Sequence, residues 1–344
     1  MGSQEQLNVC LIGSGGVGTI AAVVLEKAGT KVTAVLRSKY AVVSEKGWDL
    51  ESVDHGNVKG WKPTRVVSTV TDAATEDGKP IKYDFVVVSM KQLPDLYSIV
   101  EIIRPVITPS HTAIVLIQNG IDIELPIIEA FPTNPLMSSV SIIGSKTVGD
   151  NTIVQIGTDN STIGPHFHEC GGRSREEQLA TTKEFIRLYN LGMKDAPKKP
   201  VCTLTEDMPV ARWHKVLWNG TFNTICAING MDVGQVCRSE GRDKLLIPMM
   251  KEIWNTARAA GVDLPESAIQ AQAFRVPDNS TFRPSMLIDV DYGRPMELEV
   301  ILGSVLKRAE QTSTPAPITK TIYELLKMRK WEMQQAALVD KGNL

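Results

Sequence analysis

Residues 7–18 of the sequence read LNVCLIGSGGVG, and this stretch decides the fold. Residues 7–12 are apolar apart from Asn8, which is the pattern of a strand buried on both faces of a parallel sheet. Three glycines follow in the spacing G-x-G-x-x-G, and apolar residues then recur with helical periodicity over residues 17–28. A strand, a glycine loop and a helix in this order are typical of the turn that binds the pyrophosphate of a dinucleotide.

Each glycine of this loop has a separate role in such a turn. Gly13 permits the tight turn, Gly15 lets the backbone approach the pyrophosphate, and Gly18 lets helix and strand pack closely. The alternative is a glycine-rich turn without a ligand, which the position between strand and helix disfavours. We therefore predict that the whole loop contacts a nicotinamide cofactor: Gly13, Ser14, Gly15, Gly16, Val17 and Gly18.

The end of the second predicted strand indicates which dinucleotide binds. Residues 31–36 form this strand, and Arg37 follows it, with Ser38 and Lys39 beside it. An NAD enzyme usually has an acidic residue here, which binds the ribose hydroxyls. A guanidinium instead binds a 2′-phosphate in a bidentate manner, so Arg37 favours NADP(H) over NAD(H). The alternative is a solvated basic turn.

Composition excludes several other classes of protein. The 344 residues carry 37 Lys and Arg against 39 Asp and Glu, so the charge balance gives no reason to expect nucleic acid or a membrane surface as a partner. No apolar run approaches the roughly 18 residues of a membrane span. The five cysteines form no C-x-x-C pair, which favours a reducing compartment. We expect a cytoplasmic protein, since no signal segment is evident.

The pattern along the chain predicts an α/β fold, with an N-terminal Rossmann-type dinucleotide-binding domain (residues 1–205) and an all-helical C-terminal substrate and catalytic domain (residues 206–344). Short strands near 140–143, 152–156 and 161–163 are interpreted as an extension of the first sheet. Period-3.6 patterns predict four long helices, at about 207–229, 240–260, 295–311 and 317–337.

One predicted helix carries a polar stripe among large apolar residues. Lys215, Asn219 and Asn223 are spaced four apart, which places them on one helical face. The face is either exposed to solvent or the wall of a polar cleft. Because Asn is a poor helix former, two of them on one face favour the cleft. Glu297, near the start of the next helix, counts for little alone because the helix dipole already favours it there.

The segment around His166, His168 and Cys170 has ligand types that suit zinc. Its spacing matches no common zinc pattern, and we interpret it as a polar surface loop. The sequence thus predicts no metal site.

Several motifs together resemble the ketopantoate reductase (2-dehydropantoate 2-reductase) family, in the same order and over most of the chain. The glycine loop comes first, and the other motifs are Val87-Val88-Ser89-Met90-Lys91, Leu116-Ile117-Gln118-Asn119-Gly120, Trp213-x-Lys215-x3-Asn219-x3-Asn223, and Ser285-Met286-Leu287 with Glu297. The resemblance implies NADPH-dependent reduction of 2-dehydropantoate to pantoate, a step toward pantothenate and coenzyme A.

The resemblance also implies a role for each matched residue. Lys215 matches the catalytic lysine of the family, which gives a proton to the developing alkoxide. Glu297 matches the family's acidic residue that orients the site and contacts the cofactor. Lys91 falls on a cofactor-site lysine. The remaining matches fall on groups at the substrate, with Asn119 also at the cofactor: Asn119, Asn219, Asn223 and Ser285.

Two alternatives remain at this point: a related NADP-dependent reductase of another 2-oxo acid, and a non-catalytic NADPH-binding sensor. The presence of both Lys215 and Glu297 argues against the sensor, which needs neither residue. The sequence leaves the oligomeric state open, with a homodimer as one option.

Overall fold

The computed structural model describes residues 6–340, with side chains up to residue 338. The chain forms two compact units. Unit 1 contains the residues up to Lys91, Ser98–Gln118 and Glu124–Met208. Unit 2 contains Gln92–Tyr97, Asn119–Ile123 and the chain from Pro209 onward. Two short segments from the first 205 residues therefore belong to unit 2, together with the C-terminal helices.

Unit 1 is built on an eight-stranded sheet. In spatial order, its strands are β14 (Cys202–Leu204), β13 (Asn160–Pro165), β10 (Leu136–Ile142), β9 (Ala113–Leu116), β8 (Phe85–Val88), β1 (Asn8–Ile12), β2 (Lys31–Val35) and β5 (Arg65–Val67). The six strands from β10 to β5 pair in parallel, and β13 runs antiparallel to β10. The order around β1 is that of a Rossmann-type sheet, so the predicted α/β class is confirmed.

Six α-helices accompany these strands in unit 1: α1 (Gly16–Lys27), α2 (Tyr40–Lys46), α3 (Val70–Ala73), α4 (Ile99–Ile103), α5 (Leu125–Ala130) and α6 (Arg175–Met193). Short 3₁₀ turns occupy Arg104–Val106 and Cys170–Gly172. Helices α1 and α6 pack against each other, and Phe185 of α6 contacts Phe85 of β8 with ring centroids 5.2 Å apart. Ile20, Ala21, Val24 and Leu25 of α1 are buried, as the apolar periodicity after the glycine loop predicts, and the intervening Ala22 and Val23 are buried as well.

The interpretation of residues 152–156 as part of the first sheet is wrong. A separate four-stranded sheet contains, in order, β11 (Ser145–Val148), β12 (Thr152–Gln155), β3 (Trp48–Ser52) and β4 (Gly56–Trp61). The pairing of β12 with β3 joins segments about a hundred residues apart, which local sequence patterns do not reveal. A small ribbon of β6 (Thr75–Glu76) and β7 (Lys79–Pro80) completes the strands of unit 1.

Unit 2 is helical, as predicted, and no strand follows Leu204 within the described chain. Its α-helices are α7 (Met208–Trp218), α8 (Thr224–Asn229), α9 (Val233–Arg238), α10 (Ile247–Ala259), α11 (Ser267–Ala273), α12 (Ser285–Asp291), α13 (Ser304–Gln311) and α14 (Pro317–Asp340). Three π-helical segments interrupt the predicted long helices: Asn219–Asn223, Arg242–Leu246 and Glu299–Gly303. Such segments often occur at functional sites.

None of the helices in residues 6–340 is long and apolar enough to cross a membrane. Over the same residues, no group of three or more His, Cys, Asp or Glu side chains is arranged to hold a metal ion.

Candidate active site

The glycine loop of unit 1 has little room for side chains. Gly13 has a φ of +104°, and a Cβ there would overlap the backbone of Met90. A Cβ on Gly18 would overlap the carbonyl oxygen of Gly13, which also accepts a hydrogen bond from the Ser89 hydroxyl. The first and last glycines of the motif are thus fixed by the turn and by its packing against the end of β8.

The loop is open at Gly15. A Cβ on Gly15 would have no heavy atom within 4 Å, and α1 begins at Gly16 without a side-chain cap. The hydroxyl oxygen of Ser14 is buried and has no hydrogen-bond partner among the described residues. Backbone N–H groups at an uncapped helix start, beside open space, are the features that a pyrophosphate needs.

The basic turn after β2 contains two cations in different environments. Arg37 is exposed, and its guanidinium has no ion-pair or hydrogen-bond partner within residues 6–338. The Lys39 ammonium is engaged, since it donates to the carbonyl oxygen of Gly149 at 3.0 Å and lies 3.4 Å from an Asp150 carboxylate oxygen. Arg37 is therefore the cation of this turn that is available to a phosphate group.

Lys91 lies three residues after the end of β8 and is partly buried. The backbone beside it is fixed, because the Gln118 side-chain amide donates to the carbonyl oxygen of Met90 at 2.6 Å. Like the glycine loop after β1, Lys91 follows the carboxyl end of a parallel strand, where ligands of open α/β sheets bind.

In unit 2, the turn Asn119–Gly120 is held at three points. The Ile121 N–H donates to the carbonyl oxygen of Val300 at 3.1 Å, and the buried Arg212 guanidinium donates to the Gly120 carbonyl at 2.8 Å. A bidentate ion pair between Arg308 and Asp122 fixes the next turn of chain. Gly120 has a φ of +100°, and a Cβ there would lie 2.6 Å from the carbonyl oxygen of Val300, so this position requires glycine.

These anchors position Asn119 against Glu297. The Asn119 side-chain amide donates to Oε2 of Glu297 at 3.1 Å, and the backbone N–H of Gln92 donates to Oε1 at 2.9 Å. Both carboxylate oxygens of Glu297 are thus occupied by donors, which fixes the orientation of this partly buried side chain.

The polar stripe continues this set of contacts. Asn219 is 5% exposed and its amide lies 3.5 Å from Oδ1 of Asn119. Asn223 is 3% exposed and donates at 3.3 Å both to Oδ1 of Asn219 and to the Ser285 hydroxyl. We call these five residues, linked by side-chain hydrogen bonds, the polar network: Asn119, Asn219, Asn223, Ser285 and Glu297.

Lys215 lies one turn before Asn219, in the last turn of α7, and its side chain is partly buried. The α-helix gives way to the π-helical segment at Asn219, so both asparagines of the stripe lie in a local irregularity of the helix. The stripe is therefore mostly buried, so of the two alternatives for this face, exposure to solvent is excluded for both asparagines.

His214, the neighbour of Lys215, points to a different part of unit 2. Its ring contacts the Gln272 side-chain amide, with 3.0 Å between Nδ1 and Nε2. Burial, and then the positive charge of Arg275, lower the pKa of His214, so its imidazole is neutral at pH 7.

Two structural features of the polar network were not predicted from the sequence. The backbone N–H of Gln92 completes the environment of Glu297, and Arg212 supports the Asn119–Gly120 turn. The Gln92 N–H could not be predicted, because every residue other than proline carries a backbone N–H donor. Arg212 does precede the stripe in sequence, but only its buried position shows that it has a structural role.

Comparisons with known proteins agree with the fold of both units. The family described as "Ketopantoate reductase PanE/ApbA" matches residues 9–167, and its counterpart "Ketopantoate reductase PanE/ApbA C terminal" matches residues 207–330. An uncharacterised protein of Saccharomyces cerevisiae is 32% identical over 343 residues, covering 92% of each chain.

Two solved structures extend the comparison. The 2-dehydropantoate 2-reductase of Methylococcus capsulatus is 28% identical, with a TM-score of 0.78 over 95% of this chain and 98% of that chain. A D-mandelate dehydrogenase, solved with NADH and anilino(oxo)acetate, has a TM-score of 0.77 over 95% of this chain and all of that chain. At 16% identity, the second structure shows a shared fold and no more.

A Rossmann-type unit with a glycine loop, followed by a helical unit, is an architecture typical of dinucleotide-binding enzymes. Within this class, the chain belongs to the ketopantoate reductase family.

Proposed function

We propose that this protein reduces a 2-oxo acid with NADPH, and that the substrate is 2-dehydropantoate, which becomes pantoate. The observation that carries this proposal is the polar network of unit 2, in which oriented amide and hydroxyl groups are linked to the two asparagines that share a stripe with Lys215. A chain that only bound a dinucleotide would not need this arrangement.

In this proposal, unit 1 binds the cofactor. The uncapped start of α1 and the open side of Gly15 receive the pyrophosphate, and Ser14 supplies a hydroxyl. Arg37 binds the 2′-phosphate, since its guanidinium is exposed and unpaired within the described chain. Lys91 is assigned to the cofactor through the family resemblance. The bound cofactor supplies a hydride to the carbonyl carbon of the substrate.

Lys215 supplies the proton. As the carbonyl carbon accepts the hydride, its oxygen gains negative charge, and the Lys215 ammonium stabilises that charge and transfers a proton to the oxygen. The carbonyl π bond breaks as the C–H and O–H bonds of the alcohol form. NADPH, the source of the hydride, would be oxidised to NADP⁺, and the neutral Lys215 amine regains a proton from solvent. A positioned charge of this kind contributes roughly 3–4 kcal/mol to transition-state stabilisation.

The polar network orients the substrate and the groups around it. Glu297 fixes Asn119 through a charge-assisted hydrogen bond, and Asn119 in turn meets Asn219. The Ser285 hydroxyl oxygen accepts a hydrogen bond from the Asn223 amide. The hydroxyl hydrogen of Ser285 therefore points away from Asn223 and can be donated to an acceptor atom of the substrate. We assign Asn223 to positioning Ser285 and Asn219, because it is almost fully buried and both contacts use its amide.

The charge of the site matches a small monoanion. Lys215 is the one cation on the stripe, and the other groups are neutral amides and a hydroxyl, apart from the engaged Glu297. Neutral donors and acceptors suit a carboxylate together with a hydroxyl group, both of which 2-dehydropantoate carries. The Methylococcus relative named as a 2-dehydropantoate 2-reductase supports this choice.

Purified protein mixed with NADPH and a panel of 2-oxo acids tests the proposal. We expect NADPH oxidation and the highest kcat/KM with 2-dehydropantoate, and lower values with unbranched and with aromatic 2-oxo acids. A higher kcat/KM with an aromatic acid would contradict the choice of 2-dehydropantoate and favour an aromatic 2-oxo acid as the substrate. NADPH binding without turnover of any acid would favour the sensor and contradict the proposed reaction.

A further inference from the structure

The β11–β12 hairpin contacts the glycine loop directly. An ideal Cβ on Gly16 would lie 2.7 Å from the backbone N of Lys146 and 2.7 Å from the carbonyl carbon of Ser145. A real Cβ essentially never comes so close to backbone, so the hairpin packs where a side chain would otherwise stand. Gly16 is one of the variable positions of the G-x-G-x-x-G pattern, and the hairpin explains why it is glycine here.

The turn of the same hairpin is fixed to the basic turn after β2. Gly149 and Asp150 bind the Lys39 ammonium, at 3.0 Å and 3.4 Å. Lys39 lies two residues from Arg37. The hairpin therefore runs from the start of α1, where a pyrophosphate binds, to the turn that carries the residue proposed for the 2′-phosphate.

Lys146 of β11 is a positively charged residue whose backbone contacts the first residue of α1. Its Cα lies 2.8 Å from the Cβ position of Gly16, the first residue of α1. Its side chain is exposed and has no ion-pair or hydrogen-bond partner among residues 6–338. The flexible four-carbon stem of lysine is long compared with this separation, so the ammonium can reach an anion at the helix start.

We propose that Lys146 binds the pyrophosphate of the dinucleotide, so that the hairpin forms a third wall of the cofactor site besides the glycine loop and the Arg37 turn. This inference rests on the proposed function, because it concerns the same cofactor. The pyrophosphate is chosen over the 2′-phosphate because Lys146 contacts the start of α1, and Lys39 at the opposite end of the hairpin is already engaged. Lys39 and Asp150 are positioning residues, which hold the hairpin in place.

Dissociation constants for NADPH and NADH, measured by titration calorimetry without substrate, test the assignment. We expect Lys146→Met to weaken both dinucleotides equally, by about 5- to 15-fold, because both contain the pyrophosphate. Lys146→Arg should restore most of the affinity. Arg37→Ala should instead weaken NADPH selectively. Lys59→Met is the matched control, since Lys59 is an exposed lysine of β4 in the same sheet that pairs with Asp49, and it should leave both constants unchanged.

Unchanged affinities in Lys146→Met would overturn the proposal, and a loss confined to NADPH would move Lys146 to the 2′-phosphate and overturn the pyrophosphate assignment. Asp150→Asn provides a second measurement. We expect it to weaken both dinucleotides by at most about 2- to 4-fold, because it removes the ion pair to Lys39 but leaves the contact of Lys39 with the Gly149 carbonyl oxygen. A wild-type protein that binds neither dinucleotide would refute the proposed function itself, which is distinguishable from failure of the Lys146 assignment.

Discussion

The glycine loop of unit 1 and the polar network of unit 2 are built in opposite ways. The loop uses six consecutive residues, 13–18, and depends on backbone and on the absence of side chains. The polar network uses side chains that lie far apart in sequence, with 178 residues separating Asn119 from Glu297. Backbone geometry creates the first region, whereas directed hydrogen bonds create the second.

This difference separates binding from chemistry. Changes in unit 1 near the loop should alter the affinity for the dinucleotide, since the proposed contacts to its phosphates would be the same in the ground state and the transition state. Changes at Lys215 or in the polar network should alter kcat, since charge develops on the substrate oxygen only in the transition state. Variants of Lys215, Arg37 and Glu297 test this separation, whereas His55 lies outside both regions.

The largest effect is expected at Lys215. Lys215→Ala should lower kcat by at least about a hundredfold, because the charge and the proton at the developing alkoxide are lost. The dissociation constant for NADPH should stay close to that of the wild type. Lys251→Ala, at an exposed lysine of α10, is the control and should keep normal turnover. Near-normal kcat in Lys215→Ala would remove Lys215 from the reaction.

Arg37→Ala should lower the affinity for NADPH, the quantity that Lys215→Ala is expected to leave unchanged. Loss of a charge-assisted contact of about 1.5–3 kcal/mol weakens NADPH by about 10- to 100-fold, while NADH, which lacks the 2′-phosphate, binds as before. Titration of both dinucleotides measures this ratio. An unchanged preference between them would show that Arg37 is a solvated surface residue. Lys31→Ala, an exposed lysine at the start of β2, should leave the ratio unaltered.

Glu297→Gln should have a smaller effect on turnover. The glutamine can still accept one hydrogen bond, but its NH₂ group then faces a donor, either the Asn119 amide or the Gln92 N–H. We expect kcat to fall by about tenfold, with little change in thermal stability, because the side chain is only partly buried. Steady-state kinetics and a melting curve of the same sample separate this result from simple unfolding, which would lower Tm as well.

The two regions also differ in how far the sequence predicts them. A local pattern suffices for the glycine loop, because strand, glycines and helix are consecutive. The stripe Lys215–Asn219–Asn223 is also visible as a spacing, but its burial and its links to Asn119 and Ser285 are not. Residues 152–156 were assigned to the wrong sheet, because the partner of β12, strand β3, lies about a hundred residues earlier. Long-range pairing and backbone donors such as the Gln92 N–H leave no local signal.

The smallest effect concerns stability, away from the loop and the polar network. Burial, and then the positive charge of Lys27, lower the pKa of His55 from 6.5 to about 4. The Lys27 ammonium lies 3.2 Å from Nδ1, and the buried Nε2 has no hydrogen-bond partner within the described chain. As the pH falls from 6.5 to 4, the unfolded chain takes up a proton at His55 that the folded protein does not, so stability is lost in this window.

His55→Gln measures this contribution. Relative to the variant, the wild type should lose about 1–2 kcal/mol of unfolding free energy between pH 6.5 and 4, a value reduced for the partial exposure of the ring. Urea unfolding of both proteins at several pH values provides the comparison. If the unfolding free energies of the two proteins changed in parallel with pH across that window, His55 would take up its proton equally in the folded and unfolded chains.

A single-turnover reaction, with enzyme in excess over NADPH and 2-dehydropantoate added last, tests most directly the claim that the chain is a reductase of this 2-oxo acid. The account predicts complete loss of NADPH absorbance with one equivalent of pantoate formed, and a rate that falls at least about a hundredfold in Lys215→Ala while NADPH remains bound. Persistent NADPH absorbance in the wild type, despite demonstrated binding of the dinucleotide, would contradict it.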